Sequence, residues 1–367
     1  MQNAKARCAA AVGLLFLAFP VFAQVPEFRL ALPGYQFEFP RDHGSHDEFK
    51  TEWWYYTGHL ETESGRRYGF EVTFFRVGVT PPAPSESRWD LQHLGLAHFA
   101  ITDIGGRKFR YYEKLNRSSR FTASSAAGRL DVFNEGWRAT TTADGAWRLT
   151  ASEGGDSIDL VLRSGKPPAI HGENGVSQKA PGAGNATHYY SMTRLGVSGT
   201  LAVRGRPAER CNGLAWMDHE FGSSMLRESQ QGWDWFSLQL ENETEVMLYQ
   251  IRRADGRPDV TSSGSVVTES GDVIHIRHDQ MNVRALGRWK SPRSGAVYPM
   301  GWQISIPSLN ISLTVRSLLE NQELITKGST QVTYWEGAVN VQGSFGDVSV
   351  SGAGYVEMTG YDKPFRQ

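Results

Sequence analysis

The sequence predicts an all-β protein built from two antiparallel β-barrels in tandem. Short strands separated by glycine, proline or polar turns recur along most of the chain, which is typical of sandwiches and barrels. Residues 107–163 show no sustained 3.6-residue apolar period, so no helix is predicted there. An aromatic pair, a strand, an acidic turn and a second strand follow one another at residues 53–76 and again at residues 233–252, which indicates two similar units.

The first 23 residues have the features of a secretory signal peptide. Lys5 and Arg7 precede an apolar run over residues 9–22, which is short for a membrane span, and a small-residue cleavage site follows it. We therefore exclude residues 1–23 from the fold and expect a periplasmic or secreted protein.

Composition limits the kinds of partner that the chain is expected to have. Of its 38 basic and 39 acidic residues only two basic ones lie in the signal, and no basic stripe is present, so nucleic acid is not an expected partner. No later apolar run reaches the length of a membrane span, so none is expected in the mature chain. Cys8 leaves with the signal, which leaves Cys211 without an internal disulfide partner. The apolar core must therefore hold the fold.

Turn signals and changes in composition define the expected domains. Residues 24–47 are an extended lead-in, residues 48–225 an N-terminal barrel and residues 226–367 a C-terminal barrel. The link at residues 222–231 is expected to form a short helix. Residues 166–186 are a long loop rich in glycine and proline, of a kind that often serves as a lid or rim.

Two strands of the first unit place polar side chains on the sheet. In residues 68–77, apolar side chains alternate with Glu71 and Thr73, which share the other face. In residues 93–101, His98 shares a face with leucine side chains, and we interpret it as a structural histidine.

The chain is organised around residues 213–240, where acidic, basic and aromatic groups are concentrated. On a strand, Trp216, Asp218 and Glu220 would share one face. Because ligand sites often form at domain boundaries, we predict a site with few water molecules here. The groups of this stretch that the prediction uses are Trp216, Asp218, His219, Glu220, Trp233 and Trp235.

The strand over residues 187–194 adds further candidates. If it is extended, His188 and Tyr190 lie on one face. We expect one shared cavity, or the seam between the barrels, with His188 close by. The residues predicted to line it are Trp216, Asp218, His219, Trp233 and Tyr190.

Six stretches together resemble one family. They are residues 52–60 (EWWYYTGHL), 188–194 (HYYSMTR), 213–222 (GLAWMDHEFG), 232–240 (GWDWFSLQL), 334–337 (YWEG) and 352–360 (GAGYVEMTG). They look like the AttH-like, carotenoid 1,2-hydratase-related proteins, and the resemblance spans nearly the whole mature chain. It implies two tandem lipocalin-like β-barrels, in agreement with the strand pattern and the repeat.

The resemblance also implies a class of ligand. Relatives in the carotenoid branch add water across a terminal isoprenoid double bond, and fungal relatives steer cyclisations of polyenes. AttH-like members are often labelled as secreted hydrolases and are encoded beside ABC transporter permeases. The signal peptide and the Asp-His-Glu triplet match the secreted branch. The implied partners are therefore a lipophilic, isoprenoid or lipid-like small molecule and an ABC transporter permease.

Hydration of an unactivated alkene needs a strong proton donor, a stabilised cation and a positioned water molecule. A carboxylic acid in a poorly hydrated aromatic pocket has a raised pKa and stays protonated near neutral pH, which makes Asp218 the candidate acid and Glu220 its alternate. His188 or His219 would orient the water or take its proton, and Tyr190 would hold either group by hydrogen bonding. Tryptophan faces stabilise cations. The predicted substrate-binding side chains are Trp53, Trp54, Trp216, Trp233 and Trp235.

Two non-catalytic interpretations stay open. In the first, Asp218 and Glu220 pair with Arg194 or Arg210 where the barrels meet. In the second, the protein is a lipocalin-like carrier that hands a lipophilic ligand to an ABC-type export system, since the fold alone does not decide function. A carrier needs an apolar cavity without a buried ionisable group, whereas an enzyme needs Asp218 or Glu220 exposed to that cavity.

Metal and nucleophilic chemistry are less well supported. His188, His219 and Glu220 are metal-ligand types, but H-x-x-x-H and C-x-x-C spacings do not occur, so no metal and no other cofactor is predicted. No G-x-S-x-G motif is present either, so a serine hydrolase has no motif behind it.

Overall fold

The computed structural model describes residues 27–82, 90–224 and 226–366. The predicted signal peptide, residues 1–23, lies outside the described residues. Strands account for 58% of the chain and helical turns for 3%, so the all-β prediction is confirmed. The helical turns are Arg41–His43, His278–Gln280 and Pro307–Leu309. In the parts of the chain that the structure describes, no helix has the length and apolarity that a bilayer crossing requires.

The first unit is an antiparallel sheet that curls into a nearly closed barrel. Its strands among the described residues are β1 (Thr51–Thr62), β2 (Arg67–Gly78), β3 (His93–Asp103), β4 (Lys108–Arg117), β5 (Ala123–Ser125), β6 (Asp131–Asn134), β7 (Trp137–Thr141), β8 (Trp147–Glu153), β9 (Asp156–Ser164), β10 (Ala169–Ile170), β11 (Ser177–Gln178), β12 (Ala186–Ala202) and β13 (Glu209–Gly222). The strand order is β4-β3-β2-β1-β13-β12-β9-β8-β7-β6-β5, and β10 and β11 both pair with β12. Asn134 on β6 links the two ends of the sheet: its amide donates to the Gly95 carbonyl on β3 at 3.0 Å and accepts from Asn116 on β4 at 2.8 Å.

The second unit is an antiparallel half-barrel. Its strands, within the same described ranges, are β14 (Gln230–Leu240), β15 (Glu245–Arg253), β16 (Ser263–Val267), β17 (Val273–Arg277), β18 (Asn282–Leu286), β19 (Trp289–Lys290), β20 (Val297–Tyr298), β21 (Gly301–Ile306), β22 (Ile311–Ser317), β23 (Glu323–Ile325), β24 (Thr333–Phe345) and β25 (Val348–Thr359). The order is β17-β16-β15-β14-β25-β24-β22-β21-β18, with β23 on β24 and a separate β19–β20 hairpin.

The middle of β1 is buried on both of its faces, because the second unit covers the outside of the first barrel. One face carries Trp54 and Tyr56 into the first core. The other carries Tyr55 toward the second unit, where its hydroxyl donates to Glu336 Oε1 at 2.6 Å. Successive side chains of a strand point to opposite faces, so one strand serves both the barrel core and the seam.

Buried polar contacts also fasten the two units together. Glu245 on β15 binds Lys166 Nζ at 2.8 Å and Arg194 Nε at 2.5 Å, and its carboxylate is fully buried. The Gln239 amide on β14 donates to the Thr193 carbonyl of the first barrel at 2.7 Å. These contacts set the relative position of the barrels and therefore of the cavity between them.

One expectation about the connecting segments is wrong: the described residues of the link 222–231 form a turn rather than a short helix. The loop at 166–186, expected as a lid or rim, adds two short strands to β12, buries Lys166 and His171 and places Lys179 at the cavity described below. His171 hydrogen-bonds Ser191 at 2.6 Å and, across the seam, Ser265 at 2.9 Å. The loop is thus held down by polar side chains that its glycine and proline content does not reveal.

Candidate active site

A cavity of about 170 Å³ lies in the seam between the two barrels. Strands β1, β2, β3, β12 and β13 form its wall on the first barrel, and β14, β15, β24 and β25 form its wall on the second. Aromatic side chains make up much of the surface. The carboxyl groups that line the cavity are Glu71, Asp218, Glu220, Glu336 and Glu357.

Strand β13 divides the Asp-His-Glu triplet between two environments. Asp218 and Glu220 face the cavity. His219 points to the opposite side, where its ring stacks on Trp54 at 4.7 Å in the first barrel. The two-residue period of a strand requires this separation. The prediction of one cavity lined by both Asp218 and His219 is therefore corrected.

Asp218 is buried and accepts three hydrogen bonds. The Tyr189 hydroxyl donates to Oδ2 at 2.5 Å, Trp216 Nε1 donates to Oδ1 at 2.5 Å, and the Ser191 hydroxyl also donates to Oδ1. Burial raises the pKa of Asp218 to about 7, the three donors oppose this rise, and the charge of Glu220 adds to it. The carboxyl is therefore balanced between its two protonation states near neutral pH.

Three further carboxyls lie in the same cavity. Burial and the neighbouring Glu357 raise the pKa of Glu71 to about 8, against hydrogen bonds from Thr73 and Tyr334. Burial raises the pKa of Glu357 to about 7, although Trp233 donates to it at 2.9 Å. Burial and the two other carboxyls hold the pKa of Glu336 well above its ordinary value. At neutral pH the cavity therefore holds protonated carboxylic acids.

Glu220 has a cationic partner, unlike these three. Lys179 Nζ lies 2.8 Å from Glu220 Oε1 and 4.2 Å from the centroid of the Tyr249 ring. The non-catalytic interpretation expected Glu220 to form an ion pair where the barrels meet, and it does, but its partner is Lys179. Arg194, one of the two arginines expected in that role, binds Glu245 instead. Among the described residues, Arg210 forms no salt bridge to either carboxylate.

The five predicted tryptophans divide in the same way as the triplet. Trp53, Trp233 and Trp235 line the cavity. Trp216 lies on the same face, donates to Asp218 and packs edge-on against Trp235 at 6.3 Å. Trp54 is buried in the first core, on the far side of β1, so its assignment to substrate binding is corrected.

His188, His219 and Tyr190 lie inside the first barrel, away from the cavity. The Tyr190 hydroxyl hydrogen-bonds His219 Nδ1 at 3.1 Å and His43 Nδ1 at 2.7 Å. His188 Nδ1 contacts the Gly175 carbonyl at 2.7 Å, and its ring stacks on Tyr35 at 4.3 Å. None of the three reaches a ligand in the seam, so their predicted roles beside Asp218 are corrected.

His46, Glu52 and His219 bring metal-ligand types together inside the first barrel, with ligand atoms within 4.8 Å of one another. The Glu52 carboxylate contacts His46 Nδ1 and His219 Nε2, each at 2.8 Å, and accepts from Arg76 Nε at 2.9 Å. Against the effect of burial, Asp42 and Glu52 raise the pKa of His46 to about 9. A metal at this cluster would have to displace the proton of His46 and compete with Arg76 for Glu52, and as described these residues form a hydrogen-bond network.

Sequence reasoning missed most of the acidic groups of the cavity. Glu336 and Glu357 lie within the YWEG and GAGYVEMTG stretches, and Glu71 on the polar face of an alternating strand. Their presence in these motifs and on this polar face is the sequence signal from which the three glutamates could have been predicted as site residues. His98, interpreted as structural, is hydrogen-bonded at both nitrogens, to Tyr334 at 2.6 Å and Ser329 at 2.9 Å, yet it also lines the cavity.

Comparisons with known proteins agree with this fold. The AttH-like family model matches residues 30–361. An AttH protein of Nitrosomonas europaea has a structure that superposes with a TM-score of 0.81 at 32% identity, covering 91% of this chain and 99% of that one. Kievitone hydratase of Nectria haematococca shares the fold with a TM-score of 0.69 at 14% identity, covering 92% and 99%. Dehydratase asqC of Emericella nidulans is 23% identical over 290 residues, which cover 71% of this chain and 75% of that protein.

The match over most of the chain and the 32% identity to an AttH protein establish the family. The protein belongs to the AttH-like family, and its two-barrel lipocalin-like fold is that of its structural neighbours.

Proposed function

We propose that this protein is a hydratase-type enzyme that hydrates, dehydrates or isomerises an apolar, unsaturated small molecule in the cavity between the barrels. The observation that carries the proposal is a set of buried carboxyls whose pKa values lie near or above neutrality, enclosed by aromatic walls. A hydratase and a dehydratase among the similar proteins support the same reaction class.

Asp218 is the proposed proton-transfer group. General acid–base catalysis is most efficient when the catalytic pKa lies near the working pH, and the pKa of Asp218 is raised to about 7. As an acid it would protonate a double bond or a leaving hydroxyl, and as a base it would remove the proton that completes the reaction. Tyr189, Ser191 and Trp216 fix its orientation, which saves the cost of positioning it during the reaction.

The aromatic walls would stabilise positive charge on the substrate. Trp53, Trp233 and Trp235 present their rings to the cavity, and a cation over an indole face gains about 0.5–2 kcal/mol. His219 and Tyr190 are assigned a positioning role, because they brace β13 from the side opposite Asp218.

A lipophilic ligand, secretion and an ABC permease partner belong to the proposal as well. The aromatic cavity supports an apolar ligand, and the signal-like residues 1–23 support export to the periplasm or beyond. A carrier function is less well supported, because a carrier cavity has no need of four buried carboxyls that form no ion pair with any residue the structure describes.

A serine hydrolase is also less well supported. Ser191 does contact His171 at 2.6 Å, as a nucleophile contacts its base. Asp218, however, accepts from Ser191 rather than from the histidine, whose other nitrogen contacts Ser265. A catalytic triad needs the acid on the histidine to orient it, so this group does not form one.

The test compares Asp218→Asn with Asp159→Asn, a control at a surface pair with Arg148 outside the cavity. Native mass spectrometry of the purified protein first identifies the bound ligand, and turnover of that compound is then measured. We expect Asp218→Asn to retain the ligand and its melting temperature, within a few degrees, but to lose turnover at least about 100-fold, because the amide keeps the shape and loses the proton. Turnover equal to that of the control would refute the role of Asp218.

A further inference from the structure

Three of the cavity carboxyls share one region and have no cationic partner. Glu336 and Glu357 are directly paired across β24 and β25, and the hydroxyl of Tyr334, two residues before Glu336 on β24, reaches Glu71 Oε1 at 3.4 Å. Within the described ranges, none of them forms a salt bridge. A buried carboxylate without a counter-ion is costly, which keeps these three groups protonated, and a positive ligand group would allow one of them to ionise.

Two carboxyl oxygens in this region are free to meet such a group. Glu71 and Glu336 are each 1% exposed and line the cavity. Their Oε1 atoms accept from Thr73 and Tyr55, whereas Glu71 Oε2 and Glu336 Oε2 have no hydrogen-bond partner among the described residues. Buried polar atoms in folded proteins are nearly always paired, so the two oxygens mark where a ligand would bind.

The aromatic lining favours the same kind of group. Trp233 donates to Glu357 and so places an indole ring beside the carboxyl cluster, which consists of Glu71, Glu336 and Glu357. Trp53 and Trp235 line the same cavity. Aromatic rings combined with carboxylates form the usual recognition site for quaternary and tertiary ammonium groups.

We propose that the cavity binds a lipophilic ammonium ion, with its cationic nitrogen between Glu71, Glu336 and Glu357, and that binding releases a proton to the solvent. One protonated carboxyl becomes a carboxylate, and the buffer takes the proton. The inference rests on the proposed function in that the same groups would stabilise a cationic reaction intermediate, which the ammonium ion imitates in charge.

The other titratable groups around Glu71, Glu336 and Glu357 do not supply the proton that binding releases. Tyr55, Tyr334 and Tyr355 face the cluster, and burial holds their pKa values well above the ordinary tyrosine value. Burial lowers the pKa of His98 to about 3, so that ring is neutral. Lys179 is paired with Glu220, and Arg366, which also lines the cavity, donates to the Gln230 and Glu228 carbonyls. The charge of Asp218 raises the pKa values of Glu336 and Glu357, so Asp218 belongs to the same set of interacting carboxyls.

Affinity should therefore depend on pH in a defined direction. A carboxyl that titrates near pH 7, like Glu357, is about nine-tenths protonated at pH 6 and about one-hundredth protonated at pH 9. A cation that needs the carboxylate must displace this proton, so its affinity should rise at least about tenfold between pH 6 and pH 9. The number of protons released should fall over the same range.

Isothermal titration calorimetry tests the proposal on the purified protein. The probe is benzyltrimethylammonium, and the control ligand is neopentylbenzene, in which carbon replaces the charged nitrogen. Titrations at each pH in two buffers of different ionisation enthalpy give the proton count. We expect the cation to bind at least about tenfold more tightly than the neutral compound at pH 9 and to release protons at pH 6.

Glu336→Gln and Glu71→Gln locate the site. Each should weaken the cation about tenfold or more and leave the neutral compound unchanged, whereas Asp159→Asn should change neither. Equal affinity for both compounds, or binding without proton release, would overturn the proposal. So would a folded Glu336→Gln variant that binds the cation as well as the parent. None of these outcomes concerns turnover, so the proposed reaction at Asp218 would stand or fall separately.

Discussion

Replacing Glu71 with glutamine should stabilise the protein, and the gain should grow with pH. Glu71 is 1% exposed, and burial and the charge of Glu357 raise its pKa from 4.5 to about 8. Between these values the unfolded chain loses the proton while the folded protein keeps it. The contribution of Glu71 to stability is therefore fully present below pH 4.5 and is lost as the pH rises toward 8.

The size of this effect follows from the two pKa values. At about 1.4 kcal/mol for each tenfold change in proton affinity, the difference between 4.5 and about 8 corresponds to an upper limit of about 5 kcal/mol. Glutamine does not titrate and keeps an oxygen to accept from the Thr73 hydroxyl. The free energy of unfolding of Glu71→Gln, relative to the parent, should therefore increase by several kcal/mol between pH 5 and pH 8.5.

Urea denaturation of both proteins at pH 5, 7 and 8.5 measures this difference. Asp159→Asn is the control, because a hydrogen bond from the Arg148 guanidinium lowers the pKa of Asp159, so it titrates below this range. Its difference from the parent should not change with pH. If the difference in the free energy of unfolding between Glu71→Gln and the parent does not change with pH, or decreases as the pH rises, then Glu71 is ionised in the folded protein. The conclusion that the cavity carboxyls are protonated at neutral pH would then be wrong.

Two more predictions concern the seam and the core. Glu245→Gln should lower the free energy of unfolding by about 3–5 kcal/mol, measured by thermal or urea unfolding, because it leaves Lys166 and Arg194 partly unpaired at the seam. A loss below about 1 kcal/mol would mean that these ion pairs do not hold the two units together. Cys211 is 1% exposed, and burial raises the pKa of its thiol to about 11. It should therefore react with a thiol reagent only after denaturation. Rapid reaction of the folded protein at pH 8 would show that the barrel wall opens at Cys211.

The sequence by itself determined the fold class and the family. Alternation such as that around Glu71 reports a strand regardless of its neighbours, since the period of two belongs to the backbone. For the same reason it placed Trp216, Asp218 and Glu220 on one face. The quoted motifs were specific enough to identify the AttH-like family, which the comparisons confirm.

The tertiary structure decided which face of each strand meets the ligand. Periodicity shows that Asp218 and His219 point apart but not which of them faces the barrel core, so the two were predicted together. Tyr55 and Glu336 are separated by 281 residues and meet only because the second barrel packs on the first. The carboxyl cluster is a product of that packing: its members come from three strands of two barrels, and burial in the seam, which no local pattern encodes, raises their pKa values.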